Sequence, residues 1–62
     1  IKLMEKAIEN ERQARDMYHE GAAAADDPET RSIFEQLARW EEDHERILRE
    51  RLATLRLIKG QQ

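Results

Sequence analysis

The sequence has no cysteine, one proline, two glycines and only one each of Phe, Tyr and Trp. Without cysteine the chain can form no disulfide, no zinc ribbon, no rubredoxin-type iron site and no thiol nucleophile. A domain of 62 residues with no such cross-link lies in the size range where a single hydrophobic core is only marginally stable.

Two further absences exclude classes of partner. The net charge is −3, so the chain has no basic surface for nucleic acid. No apolar run approaches the length of a membrane span, and no signal peptide is visible. Because the sequence begins at Ile1 rather than Met, the missing targeting signal excludes no compartment.

Charged residues make up 40% of the sequence, and Ala, Glu, Arg and Leu are abundant. This composition is typical of long helices with a narrow apolar stripe. Helical periodicity predicts one helix over about 2–25 and a second over about 28–58. Between them, Asp27 is a good N-cap, Pro28 suits the first helical position, and Gly60 is expected to end the second helix. We expect residues 1–62 to form a single all-α domain.

The short connection predicts an antiparallel two-helix hairpin. A hairpin buries only one shared seam, so each helix keeps apolar surface that another element must cover. Two hairpins packed together would cover it, and we therefore expect a homodimer that forms a four-helix bundle.

Glu41 and His44 form a Glu-x-x-His unit that lies on the helix face otherwise occupied by leucines, such as Leu37 and Leu48. The same helical spacing places Glu11 on the core face of the first helix. A buried carboxylate without a partner is costly, and a divalent cation would remove the cost. A ligand set of oxygen and nitrogen without sulfur favours iron or manganese over structural zinc, and the imidazole disfavours calcium.

One chain supplies two carboxylates and one imidazole, which is too few for a dinuclear site. Di-iron four-helix bundles take one Glu from each of two helices and a Glu-x-x-His unit from each of the other two. Two chains related by a two-fold axis would supply this set, and their four carboxylates would balance two divalent ions. Glu41 would bridge the metals, and Glu11 and His44 would be terminal ligands.

The pattern Glu11-x-x-Ala14-x-x-x-Tyr18, followed by Ile33-Phe34-x-x-Leu37-Ala38-x-x-Glu41-x-x-His44-x-x-x-Leu48, resembles the rubrerythrin branch of the ferritin-like superfamily. The resemblance covers about residues 7–52. It implies a ferroxidase-type di-iron oxidoreductase with Glu11, Glu41 and His44 as metal ligands, and a tyrosine near the metals at Tyr18.

The chain departs from a full rubrerythrin, which has four helices in one chain and a cysteine-bound rubredoxin domain. Its half-bundle format is more similar to that of encapsulated ferritins, whose two-helix chains build the di-iron site across a dimer interface. That likeness implies a cytoplasmic protein, either free or inside a protein nanocompartment, that forms a dimer or a higher even-numbered oligomer. Erythrin-type domains fused to membrane iron transporters are also similar, and this likeness adds a fused domain as an alternative partner. Encapsulated ferritins carry extra acidic residues where this chain has Asn10 and Gln13, which argues against their metal-entry sites here.

Two other functions compete with iron oxidation for storage or detoxification. The first is a metal-free dimerisation module, in which Glu41 and His44 fall on the apolar stripe by chance. The second is an iron-sensing or iron-transfer domain with the same ligands and no turnover. Outside the site, His19 is expected at the surface, and Glu45 is expected either in solvent or beside an arginine such as Arg49. Met17, Ile33, Trp40 and Ile47 form an apolar flank that covers the bundle edge or mediates further assembly.

Overall fold

The computed structural model describes residues 1–60 and contains two helices, α1 (Lys2–Ala24) and α2 (Pro28–Gly60). They pack against each other as an antiparallel hairpin whose Cα atoms span 53 × 15 × 10 Å. No strand occurs among the described residues, and the predicted all-α hairpin is confirmed. Because the hairpin is one helix layer thick, neither helix is surrounded by protein.

Local chemistry at the turn fixes the start of α2. The Asp27 carboxylate accepts a hydrogen bond from the backbone N–H of Thr30 at 2.9 Å, and the Asp27 carbonyl accepts the N–H of Arg31 at 3.1 Å. Asp27 therefore caps the helix as predicted. At the other end, α2 continues through Gly60, two residues past the predicted end near 58. No glycine has a positive φ among the described residues, so Gly60 does not adopt the left-handed conformation that commonly stops a helix.

The core is a narrow seam between the helices. Its buried residues are Ile8 and Ala22 on α1 and Ala38 and Leu52 on α2. Two of these four are alanines, which let the helix backbones approach closely but remove little apolar surface from water. Burial in one hairpin is therefore small, as expected for a chain of this length.

One long side of the hairpin carries ion pairs that join the two helices. Glu5 pairs with Arg56, Arg15 with Glu45 at 2.8 Å, and His19 with Glu42 at 3.1 Å. Along α1 the charges of Glu5 and Arg15 are opposite in sign, and each meets its opposite on α2, whereas His19 and Glu42 are joined by a hydrogen bond. The pattern matches only an antiparallel arrangement in this register, so it adds specificity to a weakly apolar seam.

The opposite side of the hairpin is apolar and exposed. Met17 on α1 lies about 120° around the helix from Glu11, and Ile33, Trp40 and Ile47 lie about 80–120° from Glu41 in the same rotational sense. Because the helices are antiparallel, these flanks fall on the same side of the hairpin. We call these four exposed residues the apolar face.

Gly21 lies against the ring of Phe34 from the other helix. A Cβ atom at this position would lie 3.0 Å from two ring carbons of Phe34, and its φ is not positive. Glycine is therefore required by space and not by backbone conformation. We expect Gly21→Ala to destabilise the fold by about 1 kcal/mol, because overpacking outweighs the gain in helix propensity.

Thermal unfolding followed by circular dichroism measures this change. Gly60→Ala is the matched control, since a Cβ there meets nothing within 4 Å. That variant should unfold at the same temperature as the parent or slightly above it. A Gly21→Ala protein more stable than the parent would show that Phe34 moves aside without cost.

The cap at Asp27 makes stability depend on pH. The hydrogen bond from the Thr30 N–H holds the pKa of the Asp27 carboxyl below its ordinary value of 3.8. The folded-state pKa is depressed, so the stabilisation is fully present above pH 3.8 and is lost as pH falls through the lowered value. We expect Asp27→Ala to lower Tm at neutral pH, and the difference from the parent to shrink in stronger acid. Asp26→Ala, one residue earlier, is the control and should leave a smaller difference at neutral pH.

Candidate metal centre

The candidate site lies within the seam, where side chains from one face of each helix meet. The α1 positions are Met4, Ile8, Glu11, Arg15, Tyr18 and Ala22, and the α2 positions are Phe34, Ala38, Glu41, Glu45, Leu48 and Leu52. All of them are buried or half-buried. Charged residues occupy the middle of this otherwise apolar series on both helices, which makes one polar layer.

Glu11, Glu41 and His44 come together in this layer. One oxygen from each carboxylate and one imidazole nitrogen all lie within 4.8 Å of one another. His44 Nδ1 is 3.5 Å from Glu11 Oε2 and 3.8 Å from Glu41 Oε2. Both distances exceed those of ordinary hydrogen bonds, so the three side chains surround a space and do not bond directly to one another.

In the described part of the chain, one oxygen of the Glu11 carboxylate lacks a hydrogen bond. Its Oε2 atom is buried and has no hydrogen-bond partner among the described residues. A buried acceptor without a partner costs free energy, and a charged one costs more. A divalent cation among the three ligand atoms would satisfy it, so the donor set and the geometry both fit a metal ion.

The three side chains differ in exposure, and the difference shows where the site opens. The side chains of Glu11 and Glu41 are 26% and 19% exposed, whereas that of His44 is 57% exposed. On the helix, His44 is displaced from Glu41 by about 60° towards the apolar face. The site therefore has the two carboxylates at its base. It opens onto the apolar face, beside Trp40 and Ile47.

A second charged group completes the polar layer one helical turn away. Glu45 accepts hydrogen bonds from Arg15 and from Arg49, each at 2.8 Å. The sequence placed Glu45 either in solvent or beside an arginine such as Arg49, and did not indicate that Arg15 reaches it from the other helix. Four residues on from Glu11 and four residues on from Glu41 lie in opposite directions along an antiparallel hairpin, so spacing alone gave no signal for this pair.

Tyr18 lies two helical turns beyond Glu11 and packs against Phe34, with ring centroids 6.3 Å apart. Among the described residues its hydroxyl group forms no hydrogen bond to Glu11 or Glu41. His19, expected at the surface, is exposed and lies beside Glu42. The structure thus brings together Glu11, Glu41 and His44, with Tyr18 further along the same seam.

The sequence matches a known protein family. A family model described as rubrerythrin matches residues 2–60, which is nearly the whole chain. No curated protein and no solved structure matched the sequence. Within residues 1–60, neither helix is long and apolar enough to cross a membrane. The match extends over both helices and all three candidate ligands, and the chain therefore belongs to the rubrerythrin family of the ferritin-like superfamily.

Proposed function

We propose that two copies of the chain pack through their apolar faces into a four-helix bundle and bind two iron ions between them. Each copy would contribute Glu11, Glu41 and His44. The observation that carries the proposal is the buried Glu11 oxygen without a partner, within ligand distance of a second carboxylate and an imidazole. Rubrerythrin-family proteins typically bind iron, which agrees with this donor set.

The site of one hairpin is half of what a dinuclear centre needs. Di-iron bundles of this type use four Glu and two His, and one chain offers two Glu and one His. A second hairpin related by a two-fold axis would supply the remainder. The four carboxylates of two chains carry −4, which balances two divalent ions at +4.

The apolar face supports association through this side of the molecule. Exposed Trp40 and Ile47 lie about one helical turn on either side of the exposed His44 imidazole, and Ile33 lies further along the same side of α2. A partner that covers this face therefore also closes the site. The opposite side, with its satisfied ion pairs, has less to gain from a partner. Association and completion of the ligand set would therefore occur at the same surface.

Iron is the substrate of the proposed reaction. Two Fe(II) ions give up one electron each, and dioxygen accepts both with two protons to form hydrogen peroxide. If hydrogen peroxide is the oxidant, the same two electrons and two protons convert it to two waters. The two carboxylates favour the product, because anionic oxygen ligands stabilise Fe(III) over Fe(II).

The residues have distinct tasks in this reaction. Glu41 would bridge the two ions and set their separation, and Glu11 would bind one ion as a terminal ligand. His44 would bind through Nδ1, the ring nitrogen that lies nearest both carboxylates. Tyr18 would serve as a nearby electron or proton donor, with its ring held in place by Phe34.

This activity would serve iron storage or removal of reactive iron and peroxide, in the cytoplasm or within an encapsulating protein shell. Manganese is the other metal that the donor set accommodates. The same ligands without turnover would serve iron sensing or transfer. A metal-free dimerisation module is the competing proposal from a different class, and the exposed apolar face alone would suffice for it.

Anaerobic loading with Fe(II) tests the metal centre. We expect one iron per chain in a dimer or a larger even-numbered oligomer, and uptake of oxygen when air is admitted. Glu41→Ala should abolish both the bound iron and the oxygen uptake. Native mass spectrometry and an oxygen electrode provide the measurements.

The matched control is Glu42→Ala, because Glu42 is adjacent, exposed and directed away from the site towards His19. It should bind iron as the parent does. A monomer in solution, or a dimer that holds no iron, would contradict the proposal. Iron bound without oxygen uptake would favour the sensing or transfer role.

The Glu11→Leu variant distinguishes a metal site from a seam that has only a structural role. In metal-free protein the leucine should raise stability by roughly 1 kcal/mol, because it removes a carboxylate oxygen that lacks a partner and extends the apolar seam. When Fe(II) is present, the parent should be more stable than Glu11→Leu, since only the parent is stabilised by binding the ion.

Thermal unfolding with and without Fe(II) under anaerobic conditions measures both effects. Glu9→Leu is the control, since Glu9 is exposed and pairs with Arg12 away from the site. It should retain the metal-dependent rise in Tm. If Fe(II) raises the Tm of the Glu11→Leu protein as much as that of the parent, Glu11 is not a ligand.

A further inference from the structure

Arg15 lies one helical turn after Glu11 on the same face of α1, yet the two side chains form no ion pair among the described residues. A glutamate followed four residues later by an arginine is favourably spaced for an ion pair on a helix. Glu11 Oε2 is buried without a hydrogen-bond partner among the described residues, so it has a strong need for such a donor. Something must therefore hold the Arg15 guanidinium elsewhere.

Two carboxylates hold it. Arg15 Nη1 donates to Glu45 Oε1 at 2.8 Å, while Nε and Nη2 donate to Asp16 Oδ1 at 3.2 and 3.1 Å. The Glu45 contact is the more sheltered, because the side chains of Arg15 and Glu45 are 23% and 14% exposed, whereas that of Asp16 is 60% exposed. An ion pair as exposed as the one with Asp16 contributes little.

Glu45 is itself fixed on its other side. Its Oε2 atom accepts a hydrogen bond from Arg49 at 2.8 Å, so both oxygens are occupied by arginines. The four charges of Arg15, Asp16, Glu45 and Arg49 sum to zero. This group is complete in itself and neutralises neither Glu11 nor Glu41.

We propose that Glu45 is a positioning residue that holds Arg15 away from Glu11 and so keeps the Glu11 carboxylate free for a cation. The inference rests on the proposed metal site, and adds a residue that does not touch the metal. Without Glu45, the Arg15 guanidinium would turn back one helical turn, pair with Glu11 and compete with the ion for the same oxygen.

A double-variant comparison tests the inference, with Co(II) as an air-stable divalent probe followed by visible absorption. Glu45→Gln should weaken Co(II) binding by about three- to tenfold, which is the effect of a competing half-buried ion pair. Arg15→Gln should bind Co(II) at least as tightly as the parent. The Glu45→Gln/Arg15→Gln double variant should recover the parent's affinity to within about twofold.

Glu50→Gln is the control, since Glu50 also pairs with an arginine four residues away but on an exposed part of α2. It should bind Co(II) like the parent. Circular dichroism and the solution mass of each variant separate a loss of affinity from a loss of fold. If Glu45→Gln does not fold, the Arg15→Gln variant still tests the inference. An Arg15–Glu45 pair that only stabilises the fold predicts weaker Co(II) binding by Arg15→Gln, whereas the positioning role predicts binding at least as tight as the parent's.

The outcomes for the two proposals are distinct. Parent protein that binds no Co(II) and no Fe(II) would contradict the metal site itself. Parent protein that binds Co(II), with Glu45→Gln unchanged or with the double variant as weak as Glu45→Gln, would contradict only the positioning role.

Discussion

The polar layer in the middle of the seam is the constraint on which the rest of the molecule depends. Glu11, Arg15, Glu41 and Glu45 occupy positions that would hold leucine in an ordinary hairpin of this kind. Their presence reduces an already small apolar core, because the buried residues on either side are few and half of them are alanines. Half of the layer is satisfied by the Arg15–Glu45 pair. The other half is not, and a divalent cation is the simplest partner that this half can take.

The sequence predicted well what depends on residues close together in the chain. Helical periodicity predicted both helices, and the Asp27 cap is a local hydrogen bond that the residue types alone favour. The grouping of Glu11, Glu41 and His44 also followed, because the 3.6-residue period places Glu41 and His44 on one face and Glu11 on the face opposite it. The helices and the cap are local, and the grouping of the three ligands needed in addition a short connection between antiparallel helices, which places Glu11 and Glu41 at similar distances from the turn.

Features that depend on the register of the two helices were not predictable in the same way. The contact between Gly21 and Phe34 and the pair between Arg15 and Glu45 follow from how far one helix slides along the other. That register is set jointly by the turn at Asp27, by the small residues that allow close approach, and by the ion pairs along the polar side. The sequence does not decide which carboxylate Arg15 pairs with, since Glu11, Glu41 and Glu45 all lie on the faces that form the seam.

Placement of His44 at the edge of the apolar face has a thermodynamic consequence. If its imidazole and the carboxylates beneath it bind metal only when a second hairpin closes the site, then metal binding and association are linked. Linkage is reciprocal, so the ion tightens the dimer by the same factor by which dimerisation tightens the ion. A hairpin with so thin a seam would then draw part of its stability from its substrate, and the charged layer that weakens the single chain would stabilise the loaded assembly.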